Sequence, residues 1–181
     1  MMEQENKEYH SIFDAGLWNL YLKNLDIKNL INICYQTKEK YNSVTKSNRG
    51  GYQSPDIIGI NDSLFYPLIS RINNEIQNHY KNPNRYIKDM WLNISSTTNY
   101  NSIHTHARTY SEMYHISGVL YIQTPQNSGN FTIYNPLRID DQLTFTPIPG
   151  QLLLFNKVLP HSVSSNNSQD DRISIAFNCN I

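Results

Sequence analysis

With 181 residues, fifteen basic and fifteen acidic side chains, and 39% hydrophobic residues, the chain has the size of one domain and no net charge. A single core extends to about 250 residues before splitting, so one domain over residues 1–181 is expected. Balanced charge excludes recruitment of nucleic acid or anionic lipid by a global field, and no apolar run approaches the roughly 20 residues that span a bilayer. Cys34 and Cys179 lie far apart and form no CxxC pattern, which implies reduced thiols in a cytoplasmic protein. The polar start "MMEQENKEYHSIF" does not read as a secretory signal.

Residues 1–85 are expected to be mainly helical. Asp26 is a plausible N-cap for "DIKNLINICYQTKEK", which places Ile27, Leu30, Ile31 and Cys34 on one face and lysines in the last turn. "SNRGGYQSPD" reads as a loop whose paired glycines let the backbone pass close to a neighbour. A second helix is expected from a Ser63 cap, with Leu64, Leu68, Ile69, Ile72 and Ile76 as its apolar face.

From residue 86 the pattern changes. "YIKDMWLNISST", "SGVLYIQT", "NFTIYN", "LTFTP", "GQLLLFN" and "RISIAFNC" are short β-branched or aromatic runs parted by Pro, Gly, Asn and Asp. About eight short strands at that spacing suggest a sandwich or barrel-like jelly roll. The expected architecture is α+β: a jelly-roll core over 86–181, with the preceding helices packed on one outer face.

"NSIHTHARTY" puts His104 and His106 two apart, on one face of a strand. With one distant imidazole they can form a three-point metal site that leaves the opposite coordination positions open. Imidazole without thiolate suits iron, copper, nickel or zinc. An HxH pair also arises by chance, so the pair alone decides nothing. His10, His79 and His115 have no such companion. His79 closes the second helix, where a cation suits the terminal carbonyls, and His115 reads as a half-buried polar residue.

"FTPIPGQLLLFNKVLPHSV" supplies the distant partner, placing His161 after a turn at the mouth of the barrel. Eleven residues on, "RIS" puts Arg172 and Ser174 on one face of the last strand, with Ile173, Ile175 and Phe177 on the other. An inward guanidinium beside a hydroxyl is a receptor for a carboxylate, gripped through two parallel charge-assisted bonds.

The order HxH, His, RxS resembles the iron(II)/2-oxoglutarate-dependent oxygenases. Within them the chain is most similar to the 2OG-Fe(II) oxygenase family frequent in phages and marine bacteria. "SNRGGYQS", "WLNISSTTNYNSIHTH", "SGVLYIQTPQNSGNFTIYNP", "PIPGQLLLFNKVLPHSV" and "DRISIAFN" carry the likeness, over roughly residues 47 to 181. The resemblance implies a double-stranded β-helix that uses Fe(II), 2-oxoglutarate and O₂, most simply to hydroxylate a substrate. It makes His104 and His161 iron ligands and Arg172 and Ser174 the clamp for the distal carboxylate of 2-oxoglutarate. Tyr121 would hydrogen-bond the same carboxylate, and Asn93 would belong to the pocket wall.

Two features depart from the family pattern. His106 stands where the usual iron-binding carboxylate would be, so the metal would be held either by three histidines or by two histidines and water; Glu112 is the nearest acid. "ARTYSEMYHI" replaces a shorter link, and Arg108, Tyr110 and Tyr114 there are expected to form part of a substrate lid. Two other readings remain open: a cupin-type dioxygenase using three histidines without 2-oxoglutarate, and a non-catalytic jelly-roll module whose histidines only pack. The first leaves Arg172 and Ser174 without a role, and the second predicts no bound metal. A phage origin would put the protein in the infected cell's cytoplasm. The primary substrate, whether protein side chain, amino acid, nucleobase or metabolite, is not encoded in any of these motifs.

Overall fold

The computed structural model describes residues 8–12, 15–107, 115–138 and 140–180. In chain order these form β1 (Glu8–Ile12), β2 (Ala15–Tyr21), α1 (Ile27–Lys40), β3 (Asn48–Arg49), β4 (Tyr52–Gln53), α2 (Tyr66–Tyr80), β5 (Ile87–Ser95) and β6 (Tyr100–His104). β7 (Ile116–Gln123), β8 (Phe131–Tyr134), β9 (Gln142–Phe145), β10 (Gln151–Asn156), β11 (His161–Val163) and β12 (Arg172–Cys179) follow. The strands build two antiparallel sheets, one ordered β1-β2-β10-β7-β12-β5-β4 and the other β3-β6-β11-β8-β9. This is the double-stranded β-helix, with α1 and α2 as its main helices.

Both faces of the large sheet are covered, which explains its near-continuous apolar strands. On one face Met90, Leu92 and Ile94 of β5, Leu120 and Ile122 of β7, and Ile173, Ile175 and Phe177 of β12 pack with Leu30, Ile33, Leu68, Ile72 and Ile76 of the helices. On the other, Leu17, Val119, Leu153, Phe155 and Ala176 meet Phe131 and Ile133 of the small sheet. Strand alternation therefore separates a structural face from a face that lines the space between the sheets.

α1 starts as its sequence indicates: the Asp26 side chain accepts the Asn29 N–H at 3.1 Å, and Lys38 and Lys40 close the last turn. The second helix starts differently from expectation. Asp62, not Ser63, is the cap; it accepts the Leu64 N–H at 3.2 Å and opens a 3-10 turn over Ser63–Phe65. α2 proper begins at Tyr66 with Pro67 in its first turn, where a missing N–H costs nothing. Leu64 consequently lies outside the apolar face and is 44% exposed.

The chain before Asp26 is the larger difference. Among its described residues there is no helix: β1 pairs with β2, and β2 pairs with β10, so the mainly helical expectation for 1–85 does not hold for them. Leu17 and Leu20, three apart, suit a helix as well as a strand; pairing with β10 sends Leu17 between the sheets and Leu20 towards the helices. Gly50 and Gly51, with φ of 67° and 70°, form the corner where the chain passes from the small sheet to the large one. A Cβ at Gly50 would strike the Asn99 side chain, and one at Gly51 would lie 2.9 Å from the Ile94 carbonyl. Among the described residues no helix is long and apolar enough to cross a membrane.

Leu92 is fully buried between sheet and helices. Leu92→Ala should cost about 2–5 kcal/mol, read as a lower urea midpoint with unchanged slope.

Candidate metal centre

His104 ends β6 and His161 begins β11, and the two residues face each other directly across the antiparallel pair. Their ring centroids are 4.2 Å apart. His106 lies two residues beyond His104, anchored by its backbone N–H to the Lys157 carbonyl at 3.1 Å. One ring nitrogen from each of the three histidines lies within 4.8 Å of the other two. The Nε2 atoms of His104 and His106 are 3.2 Å apart. Nitrogens about 2.1 Å from one metal at right angles to each other would be separated by about 3 Å, so this spacing suits neighbouring ligands.

The other ring nitrogens fix the tautomers. Nδ1 of His104 donates to the Ser102 carbonyl and Nδ1 of His161 to the Leu159 carbonyl, both at 2.8 Å. Nδ1 of His106 lies 2.8 Å from Ser117 Oγ and 3.0 Å from Asn178 Oδ1. With their protons held outward, all three rings present Nε2 lone pairs to the common space. Burial, reinforced by the neighbouring rings, pushes His106 down to about 3 and His161 well below the ordinary imidazole value. Burial also lowers His104, against the opposing pull of the Ser102 carbonyl. Three neutral, converging imidazoles fit a divalent transition metal.

Behind the histidines a narrow cavity runs between the sheets, lined by Asn93, Tyr121, Ser174 and Ala176 among others. Asn93, Ser174 and Tyr121 are neighbours across β5, β12 and β7. Arg172 is 2% exposed, and its Nη1 donates to the carbonyls of Ser128 and Ser164. Arg172 Nη2, Tyr121 Oη and Asn93 Oδ1 are buried with no hydrogen-bond partner among the described residues. Leaving such groups unmet costs about 1–3 kcal/mol each, more for a charge, so Tyr121 and Asn93 on the cavity wall, with the Arg172 charge acting on Tyr121, imply a polar occupant. Burial raises the Tyr121 hydroxyl, with Arg172 opposing, which keeps it a protonated donor. Gly129, at φ 92°, lets the turn after β7 close over Arg172; a Cβ there would strike Nη1 and the Ser164 carbonyl.

On the outer side of the histidines opens a groove of about 680 Å³, lined by Lys46, Arg49, Gln53, Asp56 and Trp91 among others. Trp91 packs edge-on against His106, with centroids 5.3 Å apart. The three rings thus stand where an inner cavity and an outer groove meet, since His104 and His106 line both.

The structure brings His104, His106 and His161 together, lines the cavity behind them with Ser174, Tyr121 and Asn93, and buries Arg172 near enough to Tyr121 for its charge to act on the hydroxyl. The expected lid residues Arg108, Tyr110 and Tyr114, and Glu112, lie outside the described residues. His79 stays away from the centre, packing edge-on against Trp18 at 3.8 Å. The His115 carbonyl accepts the Lys157 N–H at 2.9 Å. Sequence reading missed Ser117, Asn178 and Asp89. The alternation that places Arg172 and Ser174 inward also places Asn178 inward, four residues beyond Ser174, and was the available signal.

Because the unfolded histidines titrate near 6.5 while folded His106 remains neutral to about 3, acid favours the unfolded chain. Stability of the metal-free protein should be full above about pH 6.5 and fall between there and about 3, by up to about 1.4 kcal/mol per pH unit for this group. His106→Gln should flatten that slope in denaturant titrations run at successive pH values.

A family model described as "Putative 2OG-Fe(II) oxygenase" matches residues 89–178, a span that holds all three histidines, Arg172 and Ser174. No curated protein sequence matches the chain at a significant level. Among solved structures, a Pseudomonas putida prolyl-4-hydroxylase superposes with a TM-score of 0.68 at 15% identity, covering 91% of this chain and 92% of that one. The viral collagen prolyl hydroxylase of Paramecium Bursaria Chlorella virus-1, in its 2-oxoglutarate complex, gives 0.65 at 14% identity over 90% and 94%. The epimerase SnoN of nogalamycin biosynthesis, bound to Fe³⁺, α-ketoglutarate and nogalamycin RO, gives 0.75 at 11% identity over 91% and 78%. These likenesses concern the fold; the family match and the three-histidine centre concern the chemistry. The chain belongs to the 2OG-Fe(II) oxygenase family and is an oxidoreductase dependent on Fe(II) and 2-oxoglutarate.

Proposed function

We propose that His104, His106 and His161 hold the ferrous ion, and that Arg172, Ser174 and Tyr121 hold the distal carboxylate of 2-oxoglutarate in the cavity behind it. The observation that carries this assignment is the buried, unpartnered pair of Arg172 Nη2 and Tyr121 Oη: Tyr121 lines the cavity that the three imidazoles also line, and the Arg172 charge acts on its hydroxyl. A guanidinium nitrogen and a phenol hydroxyl are both donors, and a carboxylate is acceptor only. Asn93 forms part of the wall, and its amide can present either its oxygen or its nitrogen to the cosubstrate.

Bound iron supplies oxygen activation coupled to decarboxylation of 2-oxoglutarate. The protein's own contribution is placement. Arg172 and Tyr121 anchor the far end of the cosubstrate, so its keto-acid end meets the histidines. Val119, Phe131 and Phe155 line the same cavity and keep water from it. The outer groove beside Trp91 receives the primary substrate, on the opposite side of His104 and His106 from the cosubstrate. Hydroxylation of a C–H bond is the simplest outcome of that arrangement. The fold does not choose the reaction, since hydroxylases and an epimerase share it.

His106 favours three histidine ligands over two and water, because its Nε2 lies 3.2 Å from that of His104 with Nδ1 already engaged. The cupin-type alternative without 2-oxoglutarate gives Arg172 and Tyr121 no ligand.

Calorimetric titration of the Ni(II)-loaded protein with 2-oxoglutarate should show binding that Arg172→Ala weakens by about 100-fold or more, the equivalent of two charge-assisted bonds. Arg172→Lys should restore part of it. Equal affinity in Arg172→Ala and the parent would remove the clamp. Aerobic incubation with Fe(II) should convert 2-oxoglutarate to succinate, and absence of succinate with every substrate class would favour the cupin-type reading.

A further inference from the structure

The geometry points to Asp89 as the positioning residue of the metal centre, acting through Asn178 to set the tautomer of His106 and to supply, two hydrogen bonds away, the negative charge that the ligand set lacks. This rests on the reading of His106 as a metal ligand.

Ser117, Asn178 and Asp89 form one row across β7, β12 and β5, where Asn178 pairs with Ser117 on one side and Asp89 on the other. Asn178 Nδ2 donates to Asp89 Oδ1 at 2.6 Å, and Ser117 Oγ donates to Asn178 Oδ1 at 2.7 Å. His106 Nδ1 stands 3.0 Å from that same Asn178 oxygen and 2.8 Å from Ser117 Oγ.

The direction of the chain is forced at one end only. An ionised carboxylate cannot donate, so the edge of the Asn178 amide that meets Asp89 must be its NH₂. Its carbonyl oxygen then faces His106 and Ser117, and can only accept. The Ser117 hydroxyl proton is committed to that oxygen, so the hydroxyl also meets His106 as an acceptor. His106 must therefore carry its proton on Nδ1, which leaves the Nε2 lone pair facing His104 and His161. Without the carboxylate the amide can turn over. Its NH₂ would then meet His106 Nδ1, the ring proton would move to Nε2, and an N–H would point into the metal position.

Charge leads to the same residue. Three neutral imidazoles add nothing to offset a ferrous ion. The two carboxylates of 2-oxoglutarate balance the metal, which leaves Arg172 unbalanced. A ligand carboxylate would have corrected this; Asp89 does so from behind His106, with Lys157, Lys88 and Asp56 as its other charged neighbours.

The test is Asp89→Asn. Long-range ¹H–¹⁵N spectra of the metal-free protein should show His106 with Nδ1 protonated in the parent and a mixture of tautomers in the variant. Anaerobic titration with Fe(II) should show affinity reduced about 10- to 100-fold, the usual effect of losing a residue that orients a ligand. The thermal midpoint of the metal-free variant should stay near that of the parent. Ser117→Ala should keep the Nδ1 tautomer, because Asn178 still presents its oxygen. An Nε2-protonated His106 in the metal-free parent would overturn the proposal even if no variant folds. So would unchanged tautomer and unchanged affinity in Asp89→Asn. A parent that binds no Fe(II), yet shows the tautomer shift on Asp89→Asn, would instead refute the three-histidine centre and leave the relay standing.

Discussion

Three imidazole lone pairs aimed at one point repel one another. The rest of the architecture answers that constraint. Protonation, the simplest relief, is closed by burial, which holds His106 near 3 and His161 well below its ordinary value. Rotation is closed as well, since each Nδ1–H has an acceptor on the opposite side of its ring. Two of those acceptors are carbonyls two residues before the histidine they orient, Ser102 for His104 and Leu159 for His161, so the local backbone sets each ring. His106 has left the regular strand and uses side chains of the large sheet instead. It is the ligand that depends on tertiary structure.

The large sheet can serve the site because its other face carries the stability. Helices α1 and α2 cover Met90, Leu92, Ile94, Ile173, Ile175 and Phe177, which leaves the alternate residues of β5 and β12 free to be polar. A sheet with only one buried face could not keep Arg172, Ser174, Asn93 and Asn178 all buried without losing its core. The polar residues are tolerated because backbone carbonyls, one another and the proposed ligands meet them. Of the buried polar atoms without a partner among the described residues, Tyr121 Oη and Asn93 Oδ1 belong to side chains that line the cavity, and Arg172 Nη2 belongs to the same strand face as Ser174, which also lines it.

Much of this was legible in the sequence. Period-two alternation indicates which residues of the last strand face inward, and HxH followed by a distant His and RxS points to the three histidines that the fold brings together and to the proposed clamp. Local signals also served α1, where Asp26 and the closing lysines mark both ends. They failed where two periods coincide: Leu17 and Leu20 fit either a helix or a strand, and only pairing with β10 decides. They failed again at Ser63, because Asp62 offers a cap one residue earlier and Pro67 then sets where the helix proper begins. Asn178 and Asp89 lay in runs already read as strands, but their relevance depends on β12 lying between β5 and β7. Adjacency of strands 89 residues apart in sequence is not written in either of them.

β12 is the element on which the two ends of the site agree. Arg172 and Asn178 stand at its opposite ends on one face, about 20 Å apart at roughly 3.3 Å per residue, with Ser174 and small Ala176 between them. One strand therefore spaces the proposed anchor of the cosubstrate against Asn178, whose side-chain oxygen meets His106. Its register is guarded by its apolar side: a slip of one residue would turn Arg172, Ser174 and Asn178 into the helices and bring Ile173, Ile175 and Phe177 into the cavity. That slip would bury an unmet guanidinium in a hydrocarbon core and empty the cavity of donors in the same movement. The packing that stabilises the sheet and the geometry that serves the metal thus depend on a single choice of register, and no change that frees one can leave the other intact.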